Sequence, residues 1–404
     1  MKRIMIIDER KLIGYAGGAE HIICDLANEM LNRGYYVDMV CMESQKGRPW
    51  YYLDENVQII NLNYEYCTSR YNGAGWQLKK LKREVLRALG GPKLVIAGKQ
   101  YADPKKEYFF NEFINRLKLC LAEKKPDVII AISEDSAYIA HQAKKKIEDI
   151  PVIAMCHSNP ANYIQDMQEY QLNAFKDATF VQVLMESFKS ILNKAGVDRI
   201  IAIPNIVIQF PDSELVNLNE CKNTIITAGR LEGNGKRQHL LIEAFARIAD
   251  RYPEWKLDIY GEADNKRYPQ KLEKLIKQYG LESRVQLRGL TDKLHNQMRQ
   301  SDIFAFTSRD EGFGLALAEA MSIGLPVVAY RSCYPTDELI EDGEDGLLAL
   351  DGVDDFAEKL SRLIGDAELR KKLGRNGHVK AAQFNEQLIW DKWEALIKQA
   401  MQVM

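Results

Sequence analysis

The sequence predicts an α/β protein with two open domains, each built around a parallel sheet. The chain has 404 residues, which exceeds the size at which a single hydrophobic core stops growing. Short apolar runs of strand character alternate with helical patterns along the chain, as is typical of parallel sheets with crossover helices. The alternation restarts near residue 223, after a segment without a clear period. Two α/β domains therefore explain the pattern.

The first half of the chain alternates strand-like runs with helical patterns. The strand-like runs cover residues 3–7, 36–42, 57–62, 127–132, 151–156, 179–184 and 200–203. The helical patterns cover residues 19–33, 108–123, 136–146 and 187–194. These elements predict a first domain over residues 1–205.

The second half repeats this arrangement. Its strand-like runs cover residues 223–228, 256–260, 284–287, 303–306, 326–330 and 346–349. Segment 206–221 has no clear period and carries the turn signal Pro211-Asp212-Ser213, so we place the domain boundary there and a second domain over residues 206–384. Two such domains facing each other would direct the carboxyl ends of their strands toward one cleft, where open α/β sheets bind ligands.

Composition excludes several classes of protein. Hydrophobic residues make up 46% of the chain and charged residues 28%, as in a soluble globular protein. No uncharged apolar run reaches the length of about 18 residues that a spanning helix needs. The first apolar run has four residues and ends at Asp8, which predicts a strand and not a signal peptide. Seven scattered cysteines disfavour a disulfide framework and a zinc site, and fit a reducing cytoplasm.

Two glutamates eight positions apart flank a glycine-rich junction between a strand and a helix. Glu319 is the only charge in the apolar helix predicted over residues 315–323. A carboxylate among apolar residues needs solvent or hydrogen-bond donors, and a ribose diol supplies two donors. Glu311 precedes this helix. In the alternative interpretation, Glu311 caps the helix and Glu319 pairs with a distant Lys or Arg.

Backbone groups beside Glu311 add to this candidate site. The N–H groups of Gly312, Phe313 and Gly314 lie just before the predicted helix. Such groups have no partner inside the helix and can point at hydroxyls or phosphate oxygens. The junction is therefore typical of a site for a sugar nucleotide.

A second glycine-rich loop, which begins at Gly229, follows the strand predicted over residues 223–228. Arg230 can bind a diphosphate bidentately and Lys236 acts as a point charge, while the start of the next helix adds positive potential. The alternative is a solvated loop with incidental charges.

The segment from Glu311 to Ala329 closely resembles the Glu, seven residues, Glu signature of the retaining GT-B-fold glycosyltransferases of family 4. The resemblance implies the GT-B fold, with two Rossmann-like domains whose parallel sheets face a central cleft. It also implies that Glu311 contacts hydroxyls of the donor sugar and that Glu319 binds the ribose. The amides of residues 312–314 would donate hydrogen bonds to the sugar and the diphosphate. Leu315 would also lie at the donor site.

The resemblance extends to other loops. Arg230 and Lys236, with Gly229, would stabilise the diphosphate as it leaves, and Glu311 would orient the sugar rather than attack it. Leu290 lies in a segment similar to the one that meets the base through its backbone. These assignments make Arg230, Lys236 and Glu311 the candidate catalytic residues.

Two candidates lie in the first domain. Gly17 and Gly18 follow the first strand and open a long helix, but their spacing does not fit the dinucleotide-binding fingerprint. They resemble the family 4 loop that approaches the donor diphosphate and the acceptor; the alternative is a tight turn with helix entry. His157 follows the strand predicted over residues 151–156, and in related enzymes a His in this region lies beside the transferred sugar. An isolated His is otherwise a structural residue.

Charge is unevenly distributed. Residues 1–205 carry 28 basic and 25 acidic side chains, whereas the whole chain has a net charge of −2. Residues 79–106 hold nine basic and two acidic side chains, with leucines interleaved at roughly helical spacing. This stretch predicts peripheral contact with anionic membrane; the alternative is an ordinary amphipathic surface helix. Nucleic acid is disfavoured as a partner because the chain is faintly acidic and stacking aromatics are not interleaved in the basic stretch.

The resemblance implies an enzyme that moves a hexose or N-acetylhexosamine from a nucleoside diphosphate sugar, with a UDP-sugar favoured, to a hydroxyl of a glycan or lipid-linked acceptor. The anomeric configuration would be retained, in cell-surface polysaccharide or lipopolysaccharide biosynthesis. We expect a cytoplasmic protein, peripheral on the inner membrane face. We expect no metal, because no Asp-x-Asp element is present.

Three alternatives remain for the activity. They are a GT-B-fold sugar-nucleotide epimerase, a starch-synthase-like transferase, and a nucleotide-sugar-binding subunit without activity. The resemblance also implies that a C-terminal helix at about 385–404 packs back on the first domain.

Overall fold

The computed structural model describes two compact units. It covers residues 1–15, 17–66, 77, 78, 80–82, 84, 85, 95, 96, 99, 100, 104–145, 147, 149–263 and 265–403. Unit 1 comprises Met1–Val183, Lys189–Ala202 and Trp390–Met404, and unit 2 comprises Leu184–Phe188 and Ile203–Ile389. The chain therefore passes from one unit to the other more than once.

Unit 1 is built on a parallel sheet of seven strands in the order β3-β2-β1-β6-β7-β8-β9. The strands are β1 Arg3–Ile7, β2 Tyr36–Cys41, β3 Gln58–Asn61, β6 Val128–Ala131, β7 Val152–Cys156, β8 Phe180–Val183 and β9 Ile200–Ala202. A separate antiparallel pair is formed by β4 Val95–Ile96 and β5 Lys99–Gln100. Residues 4–7 of β1 are wholly buried, as expected for a strand covered on both faces.

Helices connect the strands of unit 1. They are α1 Gly18–Asn32, α2 Leu62–Glu65, α3 Pro104–Lys124, α4 Glu134–Lys144, α5 Glu169–Asp177 and α6 Glu186–Lys194. Helix α6 begins in unit 2 and belongs to unit 1 from Lys189 onward. In α1, the buried Ile23, Ala27 and Met30 recur at helical spacing, which places one apolar stripe against the core.

Unit 2 is built on a parallel sheet of six strands in the order β12-β11-β10-β13-β14-β15. The strands are β10 Thr224–Ala228, β11 Lys256–Tyr260, β12 Val285–Gly289, β13 Ile303–Phe306, β14 Val327–Tyr330 and β15 Leu347–Ala349. The order reverses between β10 and β13, which are neighbours in the sheet but not in the sequence. This is the strand order of a dinucleotide-binding fold.

Helices flank the sheet of unit 2. They are α7 Gln238–Ile248, α8 Arg267–Gln278, α9 Leu294–Arg299, α10 Leu315–Ser322, α11 Thr336–Leu339, α12 Val353–Gly365 and α13 Ala367–Ala381. Phe245 of α7 and Leu360 of α12 lie fully buried in the same cluster as Leu257 of β11. The last helix, α14 Glu386–Ala400, begins in unit 2 and belongs to unit 1 from Trp390 onward.

The predicted fold class is confirmed: both units are α/β with parallel sheets. Every strand predicted from the sequence is present, with ends that differ by one or two residues. Helix α5 was not predicted, because its apolar positions are few and its only buried residues are Ala174 and Phe175. Among the helices in the described ranges, none combines the length and apolarity that crossing a bilayer requires.

The basic stretch at 79–106 lies partly outside the described residues, which omit Lys79, Arg83, Arg87 and Lys93. Of its described apolar members, Leu81 is 64% exposed. At its other end, the Lys106 ammonium lies 2.7 Å from the Asp135 carboxylate. One member of the stretch is therefore already paired within unit 1.

Candidate active site

Two of the loops predicted to form the site, those after β10 and β13, meet at the point where the sheet of unit 2 reverses its strand order. Strands β10 and β13 pair in parallel, with Ile225 beside Ile303 and Ile226 beside Phe304. Their carboxyl ends therefore lie at the same edge, where open α/β sheets bind ligands. The loop after β10 carries Gly229, Arg230 and Lys236, and the loop after β13 carries Glu311.

Hydrogen bonds tie these two loops together. The amide of Arg309 donates to the Gly235 carbonyl at 2.7 Å, and the Thr307 hydroxyl donates to the Lys236 carbonyl at 2.9 Å. The Arg237 guanidinium donates to the carbonyls of Thr307 and Ser308 at 2.9 and 3.2 Å. The backbone on both sides of Lys236 is thus fixed. Sequence reasoning had given Arg237 no role, because a clamp between distant loops leaves no local signal.

Lys236 and Glu311 form an ion pair at the centre of this arrangement. The ammonium of Lys236 donates to Oε1 of Glu311, and their side chains are only 24% and 13% exposed. The sequence assigned the two residues to different parts of a ligand, 75 positions apart, and did not predict the pair. The alternative that Glu311 caps the next helix is wrong, because Gly314 occupies the cap position of α10.

The turn into α10 presents backbone donors beside this pair. Gly314 has φ +88°, in the left-handed region that favours glycine, and this conformation starts the helix. The Phe313 side chain is 2% exposed and packs edge-on against Phe384, with ring centroids 5.2 Å apart. Within the described part of the chain, the amides of residues 312–314 donate to no acceptor. Positive potential at a helix start suits anions.

Arg230 projects from a loop with a tightly held backbone. Its side chain is exposed, while its carbonyl accepts a bond from Nε2 of Gln238 at 2.9 Å. Gly261 lies directly against this loop, because a Cβ at that position would come 1.9 Å from the Gly229 carbonyl oxygen. The side chain of Arg230 therefore extends into solvent from a rigid base.

Glu319 lies on α10, beside His295. Its carboxylate Oε2 is 3.5 Å from Nε2 of His295, and the two side chains are 21% and 27% exposed. The alternative pairing of Glu319 with a distant Lys or Arg is absent among the described residues. Two apolar side chains assigned to the donor site are accessible: Leu290 is 73% exposed and Leu315 is 39% exposed.

The candidates of the first domain lie in unit 1, at the carboxyl edge of its sheet. Gly17 caps α1 and Gly18 begins it; a Cβ on Gly17 would come 1.9 Å from the Glu20 carboxylate, whereas Gly18 faces open space. Both ring nitrogens of His157 are buried and lack a hydrogen-bond partner among the described residues. Burial, with a contribution from the charge of Arg10, lowers the pKa of His157 to about 4. His157 is therefore neutral at physiological pH.

Two carboxyls at the same edge, the buried Asp8 and the half-buried Glu9, were not predicted as site residues. Asp8 ends the first strand region, is 2% exposed and has an Oδ2 without a hydrogen-bond partner in the described chain. Burial, followed by the charges of Glu9 and Glu20, raises the pKa of Asp8 to about 7. Burial also raises the pKa of Glu9, although the Ser133 and Ser136 hydroxyls donate to it.

The raised pKa of Asp8 makes the stability of unit 1 depend on pH. The folded chain holds a proton between pH 3.8 and about 7 that the unfolded chain releases, so the free energy of unfolding falls as pH rises through that window. The full loss is about 4 kcal/mol. Asp8→Asn removes the titration. We therefore expect urea unfolding to show Asp8→Asn gaining stability over the native chain from pH 5 to pH 8; parallel profiles would contradict this.

Comparison with known families assigns both halves of the chain. A model described as Glycosyltransferase Family 4 matches residues 16–208. A model described as Glycosyl transferases group 1 matches residues 211–380. The second match contains the paired loops that hold Lys236 and Glu311.

Individual relatives are distant in sequence. The chain is 27% identical over 390 residues to the exopolysaccharide phosphotransferase SCO2592 of Streptomyces coelicolor, covering 94% of this chain but only 39% of that protein. It is 23% identical over 409 residues to the amylovoran biosynthesis glycosyltransferase AmsD of Erwinia amylovora, covering 98% of this chain and 99% of that protein.

A solved structure shows the same fold. HepE of Anabaena, crystallised with UDP and glucose, superposes with a TM-score of 0.70 at 20% identity, covering 99% of this chain and 100% of that chain. Taken with the two family matches, this chain belongs to the GT-B-fold glycosyltransferases, with a family 4 domain in its first half and a group 1 domain in its second.

Proposed function

We propose that this glycosyltransferase moves a hexose or N-acetylhexosamine from a UDP-sugar to a hydroxyl of a glycan or lipid-linked acceptor, with retention of the anomeric configuration. The observation that carries the proposal is that Lys236 pairs with Glu311 at the strand-order reversal of unit 2. Beside this pair lie the amides of residues 312–314, which donate to no acceptor in the part of the chain that the structure describes. AmsD, named for amylovoran biosynthesis, supports a role in cell-surface polysaccharide. The UDP and glucose in HepE support a UDP-sugar donor.

Each group at the edge of unit 2 has a proposed task. Arg230 and Lys236 bind the diphosphate, Glu311 holds hydroxyls of the donor sugar, and Glu319 binds the ribose. The exposed Leu290 contacts the base and Leu315 lies along the nucleotide. In the first half, Gly17 and Gly18 approach the diphosphate and acceptor, and the neutral His157 lies beside the sugar.

The chemistry follows from where charge develops. As the bond from the sugar to the diphosphate lengthens, the sugar becomes oxocarbenium-like and the diphosphate gains negative charge. Donors that are already oriented stabilise that charge without reorganising, which is usually worth several kcal/mol. Arg230, Lys236 and the amides of residues 312–314 are such donors. We propose that these groups take the place of a metal, so that chelation by EDTA leaves the rate unchanged.

The proposal is tested by screening nucleotide sugars against the purified chain. We expect a UDP-sugar to raise its melting temperature and to be hydrolysed slowly without acceptor, because water can replace the acceptor hydroxyl. Product from acceptor trials should keep the anomeric configuration of the donor, as read from the anomeric proton coupling. Binding without any turnover would favour a non-catalytic subunit, and an inverted product would refute retention.

The two glutamates should respond differently to the ligand. We expect Glu319→Ala to weaken the binding of free UDP and of the UDP-sugar alike, because both contain ribose. Glu311→Ala should weaken binding of the UDP-sugar about tenfold more than binding of UDP, since a hydrogen bond to a charged group is worth about 1.5 kcal/mol or more. Isothermal titration of both ligands measures this. Equal losses for both ligands in both variants would contradict the assignment.

We further propose a cytoplasmic location with peripheral contact between residues 79–106 and anionic lipid. The exposed Leu81 and the neighbouring lysines Lys80 and Lys82 support it. We expect cosedimentation with anionic vesicles that weakens as salt rises, because screening acts within about 10 Å at 0.1 M salt. Changing Lys79, Lys80, Lys82 and Arg83 to Gln should abolish it. Vesicle binding that depends neither on salt nor on these four changes would refute the proposed contact with anionic lipid.

A further inference from the structure

His295 stands out as a buried polar group with no satisfactory partner. Its Nε2 atom is inaccessible to solvent and forms no hydrogen bond within the described chain. Such a group normally has a partner, because leaving it unpaired carries the full desolvation penalty. Oε2 of Glu319 lies 3.5 Å from this atom.

Glu319 also lacks a basic partner. No Lys or Arg of the described chain pairs with its carboxylate, and among the described residues its one ion-pair contact is with His295. The carboxylate is 21% exposed, so one side remains open to a ligand. A small movement would bring the imidazole N–H into hydrogen-bond distance, which for a charge-assisted bond is about 2.8 Å.

The surroundings of His295 restrict its ring. The Phe210 ring packs edge-on against the imidazole, with centroids 5.1 Å apart. The Arg299 guanidinium lies over Phe210 at 4.9 Å from its centroid, and the same Arg299 is anchored to the carboxylate of Glu214 at 2.7 Å. The imidazole is therefore packed from the side and directed at α10.

We propose that His295 is a positioning residue: its Nε2–H donates to Oε2 of Glu319 and orients that carboxylate toward the ribose hydroxyls of the donor. The inference rests on the proposed function of Glu319. His295 touches neither the sugar nor the diphosphate, and its effect is confined to the ribose.

A cycle of ligands and variants tests this. The Kd values of UDP and 2′,3′-dideoxy-UDP are measured for the native chain, His295→Ala, Glu319→Ala and the double variant. His295→Ala should raise the Kd of UDP about tenfold and leave the Kd of the dideoxy nucleotide unchanged. The double variant should bind UDP no more weakly than Glu319→Ala, because the two residues act as a unit. Equal losses for both nucleotides, or additive losses, would overturn the proposal.

Two further variants separate positioning from folding. His295→Gln retains an N–H donor at a similar reach and should restore most of the UDP affinity. His378→Ala is the matched control, because His378 also contacts α10, through the Ser322 carbonyl at 2.6 Å, but its Nε2 faces Asp212 at 3.9 Å instead of Glu319. It should leave both Kd values unchanged. If His378→Ala lost as much UDP affinity as His295→Ala, the effect would come from destabilisation of α10 and the proposal would be wrong.

NMR of the ligand-free chain tests the pairing of His295 with Glu319 independently of which donor binds. The chain has six histidines, so imidazole nitrogen signals can be resolved by NMR, and His295→Ala identifies the one of interest. Glu319→Gln should shift the Nε2 signal of His295 and spare that of His378. An unchanged signal would refute the pairing. A shift in a chain that fails to bind UDP would refute the UDP donor and leave the pairing intact.

Discussion

Lys236→Ala is expected to lower turnover by about 100- to 1,000-fold, the usual effect of removing one donor that stabilises a leaving group. Arg230→Ala should act similarly. Arg230→Lys should recover only part of the rate, because it keeps the charge but loses the bidentate geometry. Steady-state kinetics with the donor found by screening, or donor hydrolysis, measures these rates. Near-normal rates in both alanine variants would contradict the leaving-group assignment.

Stability must be separated from catalysis in this experiment. Lys236→Ala leaves the carboxylate of Glu311, which is 13% exposed, without its ammonium partner, and an uncompensated half-buried charge destabilises the fold. The double variant Lys236→Ala/Glu311→Gln removes that charge. We expect it to regain the native melting temperature while its turnover stays below that of Glu311→Gln alone, which controls for the role of Glu311 itself. Recovery of both together would mean that Lys236 acts only through folding.

Gly261→Ala is expected to produce the largest loss of stability. The added Cβ would lie 1.9 Å from the Gly229 carbonyl oxygen, so β11 and the loop after β10 must separate. Gly261 also has φ +138°, which a residue with a side chain rarely adopts. Together these effects should destabilise unit 2 by about 3 kcal/mol or more and lower its melting temperature by about 10 °C. Differential scanning calorimetry measures both.

A matched glycine separates the backbone conformation from the clash. Gly352 has φ +126°, and a Cβ there would meet nothing within 4 Å. Gly352→Ala should therefore cost only the conformational strain, about 1 kcal/mol. If the two variants have the same melting temperature, the close approach of Gly261 to Gly229 does not add to the loss of stability. Gly261→Ala should also weaken donor binding, since the displaced loop carries Arg230.

The amino-acid sequence predicts the strands better than it predicts the contacts within the site. Strand positions follow from short apolar runs between turn signals, and the burial of β1 and β13 on both faces explains why those runs are continuous. The loops bearing Lys236 and Glu311 were also identified, because they follow strands and carry glycine. Their direct pairing was not predicted. It depends on the reversal of strand order, which brings together residues 75 positions apart.

Other contacts had no sequence signal at all. His295 lies on a six-residue helix with little periodicity, so its neighbour Glu319 emerges only from packing. Asp8 ends an ordinary apolar strand, and its raised pKa comes from burial beside Glu9 and Glu20. Such effects depend on distances between elements, which spacing in the sequence does not encode.

The course of α14 has a consequence for synthesis on the ribosome. Arg33 of unit 1 pairs with Asp391 at 2.7 Å and with Glu394 at 3.0 Å, and Trp390 and Trp393 are buried. Folding of unit 1 therefore cannot be completed until residues that follow unit 2 in the sequence have been translated. Although domains generally fold in the order of their synthesis, here the half that is made first is completed last. Until then, Arg33 lacks its pairing with these two carboxylates.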